Sequence, residues 1–556
     1  MNDPRKVALD ATEPIGLTRR QRQILDLLRA GKSNKEIAFA LGIGLGTVKQ
    51  HMVALFDRMG VANRTMAVSR SFTPRSAEAA ECLIEERPVS VLRLERPVDP
   101  PRLGAGALAQ ASRDLWAAVD EVALAHGGLA VRQPNFCGQI YFGVPHTLGD
   151  EAEQATLAAL RLRDRHPGLR LALASGPMAV SLRPDGEWTG EVLAGAPLAV
   201  VRGLLDATRP EEILACPETT RAAADVADFA SKSERGGALV RRRHDPARPP
   251  PSALGREGEL ASLLAAADRV AAGHGGLIVL DGEPGTGKSA LAEAFRRLCA
   301  ERGLDCRLAP CPRHPGMPDA LAAMAAALGA DQPTPRSVGQ ALTKLAAERP
   351  LVLLLDDAHA AERPALALVK GALAARLVLL VVVAGRSRGM RGWRELSGAS
   401  HLRLGRLDDR AIEAIIREHS PAPLDAATVA GLCERARGVP LFARELGRSA
   451  GLGRLPFGLW ALISSRLDSV RANRALLHLV AARPVTSLDR LAAMWRGATP
   501  DLDLALSHCR EAGVLQDIET AGGAAVEFAH PLLGEAVWQS VLAADREAIL
   551  ARFADV

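Results

Sequence analysis

Residues 277–280 (LIVL) lead through Asp281 into Gly282-Glu-Pro-Gly-Thr-Gly-Lys288-Ser289, and ALAEAFRRL follows at 290–298. A short β-rich apolar run, a glycine loop and a run with helical spacing read as strand, turn and helix. The loop has the form G-x-x-x-x-G-K-[ST]. Gly282, Gly285 and Gly287, with Thr286 between the last two, let backbone N–H groups wrap around phosphates. The helix N-terminus adds positive potential at the same place. In that arrangement Lys288 reaches the β- and γ-phosphates of a nucleotide and Ser289 holds Mg²⁺.

Further along the chain, residues 351–355 (LVLLL) form a buried-strand run that ends in Asp356-Asp357. A carboxylate pair downstream of such a loop suits Mg²⁺ binding and the positioning of a water. A third apolar run, residues 377–384, ends in Gly385-Arg386. An arginine at a strand's carboxyl end can sense a γ-phosphate, so Arg386 joins Lys288, Asp356 and Asp357 as a candidate site residue.

The chain has 556 residues, which at roughly 100–200 residues per domain implies three to five domains. Hydrophobic residues make up 48% and charged residues 24%, the balance of a folded globular protein. Aromatics are only 3%, so the cores must be built from Leu, Ala and Val. The longest apolar runs fall far short of the ~20 residues that span a bilayer. The N-terminal MNDPRK does not open a secretory signal. Eight cysteines include no C-x-x-C pair, which suggests neither a disulfide framework nor a zinc site. These features are expected of a cytoplasmic protein with no membrane partner.

Residues 241–253 hold four prolines and four arginines and break any helix or central strand. With a connector at 71–88, three regions result: 1–75, about 85–240, and 254–556. The net charge of +5 is too small to imply nucleic-acid binding by itself. Residues 17–70, however, carry ten Lys or Arg against three Asp or Glu, a local +7. Thr18-Arg-Arg-Gln21 has the form of a capping box before an apolar-periodic run that includes Ile24. Gly31 and Gly42 separate that helix from two others, the third with Val48, Met52, Leu55 and Met59 inward. A tight turn between short helices, with polar positions outward on the third, is helix-turn-helix geometry.

The quoted pieces SNKEIA (33–38), TVKQH (47–51) and GVANRT (60–65) make residues 17–68 resemble the LuxR-type (GerE-like) DNA-binding domain. The resemblance implies that the third helix enters the major groove of double-stranded DNA. Lys49, Gln50 and Val53 would then face bases, and Thr47 and His51 would lie near the backbone. Gly44 replaces the serine usual at the start of the recognition helix, a weaker cap. Val53 replaces a residue that is often basic.

LGREGEL (254–260), DDAHAAE (356–362), GVPLFARE (438–445) and FAHPLLGEAVW (528–538) occur in one order. Together they resemble the signal-transduction ATPases with numerous domains (STAND), the core of the large MalT-like regulators. That resemblance implies an α/β P-loop NTPase domain at 254–405, a helical lid at 406–454 and a winged helix at 455–556. It also implies ATP or ADP with Mg²⁺ as ligands, Pro440 near the nucleotide base, and His530 reaching the phosphates in a closed state. In such regulators the DNA-binding domain comes last and a helical-repeat sensor follows the winged helix. Here the basic module comes first, so the signal must enter through the middle region or another protein.

The middle region carries VSVLRLE (89–95), VRQPNFCGQIYFGVP (131–145) and a long stretch at 190–220 in the order of class III nucleotide cyclases. The likeness implies a ferredoxin-like α+β domain. In active relatives two aspartates bind the metals; Glu95 and Phe136 stand at those places, and a phenylalanine cannot ligate a cation. Leu198 replaces the polar residue of the N-x-x-x-R signature, while Arg202 remains. A degenerate cyclase without cyclase activity is the expectation.

The whole reads as multidomain α and α/β. The N-terminal part is all-α, the middle α+β, and a P-loop domain, lid and winged helix follow. The expected function is an ATP-controlled LuxR-type transcriptional regulator whose slow ATPase acts as a switch. It would bind DNA as a homodimer or higher oligomer, with RNA polymerase as a further partner. Two alternatives are a nucleotide cyclase with a regulatory ATPase and an ATP-driven scaffold that binds protein.

Overall fold

The computed structural model describes most of residues 83–554, together with Ile24, Val48 and Met52. These three N-terminal residues are helical and buried, as inward positions of a small helical core must be.

The middle region runs β1 (Leu83–Glu95), α1 (Ala105–Ala125), β2 (Leu129–Gln133), β3 (Cys137–Phe142), α2 (Glu151–Arg165), β4 (Arg170–Leu182), β5 (Trp188–Gly195), α3 (Ala196–Ala207), β6 (Ile213–Ala215), α4 (Pro217–Ala222), β7 (Ala227–Lys232) and β8 (Gly237–Arg242). The strands hydrogen-bond in the order β2-β3-β1-β4-β6-β8-β7, with β5 on β4. β1 is the axis: it is antiparallel to both β3 and β4, in register from Leu83↔Leu182 to Glu95↔Arg170. Its side chains alternate between two cores. Leu92 and Leu94 pack under α1 and α2 with Leu115, Val119 and Leu162. Val89 and Val91 pack under α3 with Val201 and Leu205. Both faces are covered, so apolar residues of the stretch 89–94 point to either side of the strand.

A second sheet begins after α5 (Glu257–Ala271). Its elements are β9 (Gly276–Gly282), α6 (Lys288–Glu301), β10 (Asp305–Pro310), α7 (Ala320–Leu328), α8 (Pro335–Glu348), β11 (Leu351–Asp356), α9 (Arg363–Ala374), β12 (Leu379–Arg386), α10 (Arg391–Arg394) and β13 (Ala399–Leu404). All four pairings are parallel, in the order β10-β11-β12-β9-β13. Helices cover both faces, which explains the unbroken hydrophobic strands. Leu351, Leu353 and Leu355 of β11 face Val338, Leu342 and Val369. Val352 and Leu354 face Leu263, Leu291 and Phe295.

The apolar run at 377–384 begins as a strand only at Leu379. Arg376 turns the chain with φ +52°, and the Leu377 N–H closes onto the Ala372 carbonyl at 3.4 Å. At the other end β12 continues through Gly385 and Arg386, which pair with Asp281 and Gly282 of β9.

The remainder is mostly helical: α11 (Asp409–His419), α12 (Ala426–Ala436), α13 (Pro440–Arg448), α14 (Phe457–Ser469), α15 (Arg474–Ala481), α16 (Leu488–Met494), α17 (Leu502–Glu511), α18 (Pro531–Ser540) and α19 (Ala543–Ala554). Strands β14 (Val485–Ser487), β15 (Leu515–Thr520) and β16 (Gly523–Phe528) form an antiparallel sheet of order β14-β16-β15. One core joins both parts, with Ile412 and Ile416 of α11, Leu446 of α13, Trp460 of α14, Leu476 of α15 and Leu532 of α18. Asp408 and Asp425 cap α11 and α12 by accepting the N–H of Ala411 and Thr428.

Candidate nucleotide-binding site

β9 ends at Gly282, where the chain must pass close to β13. A Cβ at Gly282 would lie 2.8 Å from the Leu404 carbonyl oxygen and 2.9 Å from Thr286 Oγ1, so no side chain fits. Gly285 and Gly287 sit at φ +83° and +94°, in the left-handed region that glycine tolerates. The Thr286 hydroxyl donates to the Glu283 carbonyl at 2.8 Å and pins the turn. Gly287 is the N-cap of α6 and supplies no capping side chain, so the first N–H groups of the helix stay available to an anion.

Lys288 is buried at the start of α6. Its Nζ donates to the carbonyls of Gly282 at 3.0 Å and Glu283 at 2.8 Å, folding the ammonium back over its own loop. Burial brings its pKa down to about 8; Asp357, Asp356 and Glu283 oppose this, and Arg386 adds to it. Lys288, Asp356, Asp357 and Arg386 therefore share one electrostatic neighbourhood. Sheet order is the cause. β12 lies between β9 and β11, so Arg386 at its carboxyl end stands between the glycine loop and the acid pair. Ser289 is exposed on the first turn of α6.

Asp356 closes β11 and its Oδ1 accepts the Asp357 N–H at 2.9 Å. Asp357 is held at φ +53°, a conformation an L-residue adopts at some cost and which clusters at functional sites. Cys311 escaped the sequence reading. Its N–H donates to the Asp356 carbonyl at 2.8 Å, and burial, with Asp357 and Asp356 close by, pushes its thiol up to about 12. Arg256 also escaped. It is buried, donates to the carbonyls of Thr286 at 3.1 Å and Gly405 at 2.5 Å, and pairs with Glu259 at 2.8 Å. It thereby ties the glycine loop to the exit of β13. The LGREGEL segment was the signal that could have found it.

Pro440 opens α13, which abuts the glycine loop. The Leu441 N–H donates to the Gly285 carbonyl at 3.2 Å. A Cβ at Gly285 would meet Leu441 Cβ and Val439 Cγ1, each at 3.1 Å, and one at Gly287 would lie 4.0 Å from Pro440 Cγ. His530 is placed one step back. Its ring packs edge-on against Phe442 of α13 at 4.9 Å, and its Nδ1 accepts the Leu532 N–H at 3.2 Å as the cap of α18. Burial, then Arg406, lowers its pKa to about 4, so the imidazole is neutral near pH 7.

The proposed DNA-facing residues Thr47, Lys49, Gln50, His51 and Val53 lie outside the described residues. In the middle region, Glu95 is tied to Arg170 at 2.5 Å, Phe136 packs against the core at φ +56°, Leu198 is half-buried against the α3 core, and Arg202 is exposed. Among the described residues no group of three His, Cys, Asp or Glu is arranged to hold a metal. Mg²⁺ at a nucleotide needs less, because phosphates and waters supply most of its ligands. The Ser289 hydroxyl and the Asp356 carboxylate are of the oxygen chemistry that such an ion takes. Among the described residues no helix is long and apolar enough to cross a membrane.

Comparison with known proteins gives two family matches. Residues 16–71 match the model of bacterial regulatory proteins of the luxR family, and residues 253–383 match the AAA ATPase domain. The CsgBAC operon transcriptional regulatory protein of Escherichia coli (strain K12) is 50% identical over 60 residues, covering 11% of this chain and 28% of that protein. The monoamine regulon transcriptional regulator of Klebsiella aerogenes is 46% identical over 61 residues, covering 11% and 27%. The chain thus spans about a quarter of the length of these curated relatives. Among solved structures, the adenylyl cyclase CyaB from P. aeruginosa is similar at TM-score 0.25 and 17% identity, over 30% of this chain and 98% of that one. A Thermotoga maritima RuvB mutant is similar at TM-score 0.29 and 19% identity, over 50% and 95%. The chain carries a domain of the luxR family of bacterial regulatory proteins at its N-terminus and an AAA ATPase domain in its central part.

Proposed function

We propose that the chain is an ATP-dependent LuxR-family transcriptional regulator, in which the nucleotide state of the ATPase domain controls sequence-specific DNA binding by residues 1–75. The observation that carries this reading is the glycine loop at the end of β9, with Arg386 and the Asp356-Asp357 pair at the carboxyl ends of β12 and β11 beside it and the start of α13 lying on the loop. Lys288 has to leave the carbonyls of Gly282 and Glu283 to engage phosphates, and the loop N–H groups with the start of α6 orient them. Ser289 and Asp356 would hold Mg²⁺, which when bound neutralises charge on the β- and γ-phosphates. Asp357 would position a water, and Arg386 would report whether a γ-phosphate is present. Val439, Pro440 and Leu441 lie on the loop, so a change at the phosphates is felt first by α13.

In this reading residues 254–405 are the P-loop NTPase domain, 406–454 a lid and 455–556 a winged helix of the STAND type. Residues 85–240 are a ferredoxin-like, degenerate cyclase. The Glu95–Arg170 pair supports the last point, because a carboxylate engaged by a guanidinium is poorly placed to ligate a cation. The nucleotide step is tested by titrating the full chain with a fluorescent ATP analogue. Lys288→Ala should weaken binding at least about 100-fold, since a buried charge-assisted contact to phosphate is lost. Equal affinity in the variant would remove the basis of the proposal.

A further inference from the structure

α13 is gripped at both ends by different parts of the chain. Its N-terminus lies on the glycine loop, where the Leu441 N–H meets the Gly285 carbonyl at 3.2 Å. Toward its C-terminus, Arg444 and Arg448 sit four residues apart and so share one face. Both reach the same carboxylate in the middle region. Arg448 Nη2 lies 2.6 Å from Asp225 Oδ1, and Arg444 Nη1 lies 3.2 Å from Asp225 Oδ2. Glu445 accepts from both arginines on the helix's own side, at 3.2 and 3.4 Å. At nine residues and about 1.5 Å per residue, α13 is a rod of roughly 13 Å between the two grips.

A second clamp fixes the middle region on the other side of the α13–α14 connection. Arg87 Nη2 donates to Asp468 Oδ1 at 2.7 Å, and the Thr147 N–H donates to Asp468 Oδ2 at 2.9 Å. His478 Nε2 donates to Glu85 Oε1 at 2.8 Å, and Arg474 contacts both Glu85 and Asp468. Between the clamps, Ala152 and Ala223 pack on Phe457 and Ala461 of α14. The middle region therefore brackets the joint between α13 and α14. Swinging α13 away from α14 breaks the Asp225 grip or the Asp468 grip.

We infer that the middle region is a brake acting in cis on the nucleotide site, with Asp225 as the positioning residue that holds α13 seated on the glycine loop. This rests on the nucleotide-binding reading of that loop. The brake explains how a region whose own metal-ligand positions hold Glu95 and Phe136 acts on the ATPase domain. Any ligand or partner that pulls Asp225 off the two arginines frees α13 and speeds nucleotide exchange.

The test is release of a fluorescent ADP analogue from the full chain, followed by stopped flow after mixing with excess ATP. Asp225→Ala should release it about tenfold faster, the scale of one lost charge-assisted grip. Arg448→Ala should speed release as well, and the double variant should gain less than the product of the two single effects. Asp120→Ala, which removes an exposed ion pair to Arg132 within the middle region, should release at the wild-type rate. Wild-type release from Asp225→Ala, or equal acceleration in Asp120→Ala, overturns the brake. If the wild-type chain binds no nucleotide, the functional proposal itself fails. Amide hydrogen exchange across residues 440–448 then decides the grip: faster exchange in Asp225→Ala alone supports it, and unchanged exchange overturns it.

Discussion

Glu85 is the most demanding contact between the middle region and the C-terminal helices. It is buried, and burial alone would raise its pKa; Arg474, the His478 hydrogen bond and Arg87 outweigh that and bring it from an ordinary 4.5 down to about 2. A carboxylate depressed on folding stabilises the folded state above its unfolded pKa and loses that contribution as pH falls through the folded one. At neutral pH the contribution is about 3 kcal/mol; it falls to less than half of that at pH 3 and nearly vanishes at pH 2. Glu85→Gln keeps the shape and removes the charge, leaving Arg474 buried beside one acid instead of two. In urea unfolding of the full chain, the transition that separates these regions should shift by about 3 kcal/mol at pH 7. The gap between wild type and variant should halve by about pH 3. A gap that is the same at pH 3 and pH 7, or absent at pH 7, would refute the reasoning.

Glu151 should behave with the opposite sign. Burial, then Asp150, raises its pKa to about 8, although Oε1 accepts the N–H groups of Leu148 and Gly149. The folded state then holds a proton that the unfolded chain releases, so stability is lost as pH climbs from 4.5 toward 8. Glu151→Gln should stabilise the chain by up to about 3 kcal/mol at pH 7 and by nothing below pH 4.5, read from urea midpoints. Leu353→Ala empties part of the core between β11 and α8; a loss of 2–5 kcal/mol (roughly) is expected in the same assay, and a loss under about 1 kcal/mol would mean that the core collapses around the gap. Gly285→Ala puts a methyl against Leu441 and Val439 at φ +83°; fluorescent-nucleotide affinity should fall while the melting temperature changes little, and unchanged affinity would deny the loop its stated shape.

The nucleotide site was legible because its signals are local. Three glycines at fixed spacing, a lysine at the helix start and an acid pair at the end of an apolar run each declare themselves within a few residues. Arg386 was legible for the same reason, since a strand's carboxyl end faces the switch between loop and helix. What the sequence hid is the traffic between regions. Arg87 and Asp468 are 381 residues apart, Glu85 and His478 393, and neither side of either pair looks different from a solvated charge. The Asp225–Arg448 contact spans 223 residues and is equally silent. His530 was named from family likeness alone, and its place against Phe442 depends on how α18 packs on α13. The extent of β1, which starts at Leu83 in the segment read as a connector, was missed. Glu85 and Arg87 look polar there, but both are buried by helices from the far end of the chain.

Control of DNA recognition by nucleotide state is read by selecting genomic DNA fragments with the full chain in ATP, in ADP and without nucleotide. Such control gives a sequence motif whose enrichment depends on which nucleotide is bound, and makes Lys288→Ala behave as the nucleotide-free protein in all three conditions. The same motif, equally enriched in every condition, would contradict it.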